Sequence, residues 1–243
     1  MKALLLSLAF CSLVVGPGLA QESRPLKVHL IGVGEYDAAK SFAEFKTFLE
    51  KKHGMECTAS LGGNSKTLDN LDALKNADLL LIFARRLALP EDQMAILRAH
   101  WEKGKPIVAM RTSSHAFQPA DNEIFDKKVL GGDYKGSGSY TAPFKAITAP
   151  GQADHPVLKK VGAINSKGYY GNGKLAADAI VLQIVETDRK TPQPVTWAHT
   201  YNGGRTIYTS MGTPEDFQND DFRNLLVNAI RWTSARDAAI IKK

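Results

Sequence analysis

Glu35-Tyr36, Arg85-Arg86 and Arg111-Thr112-Ser113-Ser114-His115 each follow an apolar run, and together they offer a carboxylate, guanidinium groups, hydroxyls and an imidazole. Converging on one pocket, such groups carry general acid/base chemistry or the recognition of a polyol. In that reading His115 is the base, Arg111 polarises a substrate oxygen, and Glu35 is the second acid/base. The competing reading is a structural salt-bridge network that closes a sheet edge.

A nucleophile needs a sharp turn at a strand end, and residues 111–115 stand where such an elbow would form. Ser113 is the serine to consider, but there is no G-x-S-x-G, and a base two residues away seldom meets its nucleophile in line. A serine hydrolase is therefore a third reading, behind proton transfer and simple binding. Further along, residues 131–140 form a glycine-rich lip in which Tyr134 and Tyr140 could stack on a sugar face.

His155, in Asp154-His155-Pro156, and His199, in Trp197-Ala198-His199, could join His115 on a divalent metal. No H-x-x-x-H or H-x-H spacing supports that, so no metal or other cofactor is assigned. Gly32-Val33-Gly34 lacks the third glycine of a dinucleotide site, and no phosphate-loop motif is present.

These groups need elements to hold them. Residues 26–34, 55–60, 78–84 and 106–110 read as strands, the third apolar throughout, as in a parallel sheet covered on both faces. Between them lie three helical patterns: one capped by Asp37 with Phe42, Phe45, Phe48 and Leu49, a short one from Ser65 with Leu68, Leu71 and Leu74, and one opened by Pro90 and closed by Gly104. Strand-helix alternation predicts a doubly wound, mostly parallel α/β sheet in one domain, with ligands at the carboxyl ends of the strands. Strands near 142–148, 179–185, 194–199 and 205–210 follow, and an amphipathic helix with Phe222, Leu225, Leu226, Ala229 and Ile230 on one stripe ends the chain.

The leader, MKALLLSLAFCSLVVGPGLA, reads as a signal peptide cleaved near Ala20, which predicts a secreted or periplasmic protein with one domain over residues 21–243. Nothing downstream is long and apolar enough for a membrane span. The net charge of +6 is scattered in separate lysine pairs without interleaved aromatics, which argues against a nucleic-acid partner. Cys11 lies in the leader and Cys57 in a predicted strand, so a buried structural thiol is expected rather than a disulfide. The sequence leaves open whether the protein forms an oligomer.

Taken together, Gly34-Glu35-Tyr36, Leu89-Pro90, Arg111-Thr112-Ser113-Ser114-His115-Ala116-Phe117, Val129-Leu130-Gly131-Gly132, His155-Pro156, Pro194-Val195-Thr196-Trp197 and Gly212-Thr213-Pro214-Glu215-Asp216-Phe217 resemble the trehalose-utilisation (ThuA-like) family across nearly the whole mature chain. The resemblance implies a class I glutamine amidotransferase-like (flavodoxin-like) fold and a role with disaccharides or their keto derivatives. It adds Asp133, Trp197 and Thr213 to Tyr36, Arg86, Ser113, Tyr134, His155 and His199 as candidate substrate contacts. This chain has Gly136-Ser137 and Gly212-Thr213 where the family commonly carries Gly-His, and it lacks the amidotransferase cysteine. Glutamine hydrolysis is therefore not implied. The expected ligand is a small carbohydrate, bound either for turnover or by a non-catalytic binding module.

Overall fold

The computed structural model describes residues 24–137, 142–186 and 192–236. The leader and Tyr140 lie outside these residues. Among the described residues, eleven strands and four α-helices alternate first and then run mostly as strands.

Strand β1 (Lys27–Gly32) is central to the first half, with β2 (Glu56–Leu61) on one side and β3 (Leu79–Phe83) on the other, both parallel to it. Strand β4 (Ile107–Met110) extends the sheet beyond β3. The full order is β2-β1-β3-β4-β11-β10-β9-β6-β7, where β6 is Pro143–Thr148, β7 Ile164–Lys167, β9 Ile180–Val185, β10 Pro194–Tyr201 and β11 Gly204–Thr209. β10 and β6 run against all the others, so the sheet is mixed but mostly of one direction. The expected doubly wound α/β architecture is thus the observed one. Strands β5 (Tyr134–Ser137) and β8 (Tyr170–Asn172) form a separate antiparallel pair.

Apolar strands bury both faces, because successive side chains alternate across the sheet. Leu79, Leu81 and Phe83 join Phe42, Phe45 and Leu49 of helix α1 (Ala38–His53) and Phe222, Leu226 and Ile230 of helix α4 (Asp220–Thr233). Leu80 and Ile82 face Leu97 and Trp101 of helix α2 (Glu91–Glu102) on the other side. Gly32 is required where α1 crosses β1, since a Cβ there would lie 2.9 Å from the Ala38 carbonyl oxygen.

Two local expectations are corrected. Asp37 does precede α1, but in a left-handed conformation (φ 50°) and without a side-chain capping bond. The helix expected from Ser65 is only a 3-10 turn, Leu71–Asn76, because Asn64 Oδ1 takes the Lys66 and Thr67 N–H groups and holds a turn there. Between β4 and β5 lie helix α3 (Pro119–Ile124) and the π turn Phe125–Val129, for which no element was expected. Cys57 is half-buried, and burial pushes its thiol up to about 12, consistent with an inert side chain.

Candidate functional site

The carboxyl ends of β1, β3 and β4 each pass into a residue with positive φ. Tyr36 (59°) and Asp37 (50°) follow β1, Arg86 (48°) follows β3, and Arg111 (50°) follows β4 directly. Side-chain-bearing residues enter this region at a cost, and such strain clusters where a chain must be aimed. Two of the ends are also stitched together beyond the strands: the Arg86 N–H donates to the His115 carbonyl at 2.9 Å and the Leu87 N–H to the Ala116 carbonyl at 2.7 Å. A parallel bridge from Leu87 to Phe117 continues this pairing.

The strained residue of the β4 turn is therefore Arg111, not a serine. Its side chain is fully buried, and Nη1 donates to the carbonyls of Lys167, Gly168 and Ser210 at 3.0, 2.9 and 3.1 Å. The guanidinium carbon lies 4.0 Å from the centroid of the Tyr36 ring and 5.8 Å from that of Tyr170. The Arg111 carbonyl accepts from Tyr208 Oη at 2.7 Å, which fixes the turn from beneath.

His115 closes the 3-10 turn Arg111–His115. Tyr134 of β5 stacks on its ring at 4.4 Å and Tyr170 of β8 meets it edge-on at 5.5 Å. Its Nδ1 lies 3.1 Å from Ser114 Oγ, which orients the ring. Burial, reinforced by Arg85 and Arg86, pulls the imidazole down to about 4, so it is neutral at pH 7.

Ser113 is committed to structure. Its Oγ donates to the Ile82 carbonyl at 2.9 Å and accepts the Ala84 N–H at 3.3 Å, both in buried backbone at the end of β3. A nucleophile needs a base and a free line of attack, so the serine-hydrolase reading is set aside. Glu35 is exposed and forms an ion pair with Arg85, while Arg86 is exposed beside His115.

Two acidic residues support the tyrosine side. Asp126, in the π turn, is buried, and its Oδ2 accepts the Tyr134 N–H at 2.9 Å. Burial, with Asp133 and Glu123 nearby, pushes its carboxyl up to about 6. Asp133 pairs with Lys135 at 2.7 Å, and its carbonyl accepts the Gly173 N–H at 2.8 Å, tying the β5 and β8 segments together. Lys135, by ion pairing and hydrogen bonding, holds the Asp133 carboxyl below its usual range. Thr213 follows β11 on the same edge and is buried; its N–H donates to Asp216 Oδ2 at 2.8 Å and its Oγ accepts the Asp216 N–H at 3.4 Å, which closes a turn.

Three expected contacts are elsewhere. Trp197 is fully buried against Tyr208, ring centroids 4.4 Å apart, and its indole N–H donates to the Leu130 carbonyl; it supports the floor from within the core. His199 pairs with Thr206, which pairs with Ile107 at the start of β4, so it lies at the opposite edge from Arg111. There it contacts the Val129 carbonyl and Asp178. His155 caps the 3-10 turn Pro156–Leu158 and packs against Trp232 near the end of α4. The three histidines therefore do not converge, and among the described residues no group of three or more His, Cys, Asp or Glu side chains is placed to hold a metal. Tyr170 and Asp126 were not singled out from sequence. The Tyr169-Tyr170 pair was a visible aromatic signal, whereas Asp126 stood among other charged residues, Asp121, Glu123, Lys127 and Lys128, with nothing in the sequence to set it apart.

The chain fits known structures over most of its length. It superposes on a ThuA-like protein from Bacteroides uniformis with a TM-score of 0.65 and 18% identity, over 87% of this chain and 92% of that one. A ThuA-like protein from Parabacteroides merdae gives 0.65 and 15%, over 87% and 90%. A protein from Thermoplasma acidophilum described as part of a GMP synthase gives 0.57 and 11%, over 90% and 99%, which places the fold among the glutamine amidotransferase-like sheets. No curated protein matches. The family model ThuA, described as trehalose utilisation, matches residues 31–233, from within β1 to the last residue of α4 and so across every strand end that builds the site. With that match spanning most of the sequence, the chain belongs to the ThuA family.

Proposed function

We propose that this protein is exported and binds a small carbohydrate at the carboxyl edge of its sheet, on the floor formed by Arg111, His115, Tyr134 and Tyr170. The observation that carries this reading is the stacked pair of His115 and Tyr134 beside a buried guanidinium. Aromatic faces suit the apolar faces of sugar rings, and fixed N–H donors suit their hydroxyls. The family description, trehalose utilisation, agrees with a sugar ligand. A neutral His115 with its acidity near 4 can accept a hydrogen bond from a sugar hydroxyl but is a weak base. Binding is therefore the primary role. If a proton is transferred, His115 accepts it, Arg111 polarises the neighbouring oxygen, and Glu35 with Arg85 completes the acid/base pair.

Calorimetric titration with trehalose, maltose, glucose and galactose tests the reading. Saturable binding that weakens at least five-fold in Tyr134→Ala is expected. The absence of saturable heat across a broad mono- and disaccharide panel overturns it. Sugar analysis by NMR after incubation separates binding from turnover.

A further inference from the structure

We infer that the sugar bound here carries a carboxylate, and that Arg111 is the residue that recognises it. This rests on the carbohydrate reading above and narrows it to acidic sugars, the uronic and aldonic acids.

The argument starts from the orphaned nitrogens of Arg111. A guanidinium has five N–H donors and keeps its charge at all ordinary pH values. Here Nη1 meets three backbone carbonyls, but Nε and Nη2, both buried, have no hydrogen-bond partner. Those two nitrogens form one straight edge of the planar group, the edge that matches the two oxygens of a carboxylate. Tyr36 and Tyr170 pack near the group, with the guanidinium carbon 4.0 and 5.8 Å from their ring centroids, and neither takes a hydrogen bond from that edge.

Charge points the same way. Removing a cation from water without a counter-ion is costly, and buried charges are normally paired. Among the described residues no carboxylate forms an ion pair with Arg111. Asp216, on the neighbouring loop, gives its Oδ2 to Ser166 Oγ and to the Gly212 and Thr213 N–H groups at 2.8 Å each. Glu35 is paired with Arg85. Arg85 and Arg86 add positive potential beside His115, which burial keeps neutral. The site thus has an excess of cations and a buried bidentate edge that no protein acceptor meets, and an anionic group satisfies both. Tyr36, half-exposed and held at positive φ, is the ring that would shift to admit it.

The test titrates the full mature chain with matched pairs: D-glucuronate against D-glucose, D-galacturonate against D-galactose, and D-gluconate against D-glucitol. In parallel, the Arg111 Nε–Hε resonance is followed by NMR in the wild type, so that a misfolded Arg111→Lys variant does not end the experiment. The expected result is an acid that binds at least ten-fold tighter than its neutral partner, a preference lost in Arg111→Lys, and a shift of the Nε–Hε signal on binding. Equal affinity within every pair overturns the inference and leaves the carbohydrate reading intact. A shift of that signal with malonate, while no sugar of either kind binds, upholds Arg111 as a carboxylate site and overturns the carbohydrate reading. No binding and no shift with any of these probes overturns both.

Discussion

Tyr134 lies flat on His115, with ring centroids 4.4 Å apart and 15° between the planes. Desolvation is the main cause of the low imidazole basicity, and the stacked ring covers one of its faces. Tyr134→Ala is expected to raise the His115 pKa from about 4 toward the ordinary value near 6.5, read from the imidazole resonances in an NMR titration. An unchanged pKa would show that burial by other residues suffices.

Ser113 bridges the ends of β3 and β4. Ser113→Ala leaves the Ile82 carbonyl and the Ala84 N–H without that partner in a buried place, which should destabilise the protein by about 1 to 3 kcal/mol. Urea denaturation reads the loss. The wild type should also resist labelling by a serine-directed phosphonate, and modification of Ser113 would restore the hydrolase reading.

Acid stability follows from groups held away from their ordinary protonation. His29, His100 and His115 fall to about 4 in the folded chain from 6.5, so protonation favours the unfolded state. Their contribution is complete above about pH 6.5 and is lost as the pH falls toward 4. Asp126 acts in the opposite sense. Its carboxyl rises to about 6 from 3.8, so its contribution is complete below about pH 3.8 and is lost as the pH climbs through 6. Asp126→Asn should therefore make stability rise more steeply with pH between 4 and 6, as measured by melting temperature. A curve parallel to the wild type would exclude Asp126 as a contributor.

Export is tested at the N-terminus. Expression in a bacterial host and sequencing of the released or periplasmic protein should find Gln21 as the first residue. Full-length protein retained in the cytoplasm would contradict that reading.

The first half of the fold was legible because its signals are local. Residues 78–84 are apolar without interruption, and Pro90 and Gly104 bracket a helix whose apolar residues recur at helical spacing. Strand direction is not a local property. The Trp197-Ala198-His199 segment looked like another strand reaching the site, but β10 runs against its neighbours and carries His199 to the far edge. Short pairings were equally hidden: β5 and β8 have four and three residues, and their partnership spans a long separation in sequence. Arg111 and His115 were found because they directly follow an apolar strand, while Tyr170 reaches them only through that distant pairing.

The bonds from Arg86 to His115 and from Leu87 to Ala116 extend sheet pairing past β3 and β4 into the floor of the site. Amides in such pairing exchange with deuterium only when the sheet itself opens. The floor should therefore hold its amide protons on the timescale of the core. If a sugar binds as proposed, its entry and departure are governed by the other wall, Tyr36 and the β5–β8 ribbon, where the rates of exchange and of sugar release should rise together.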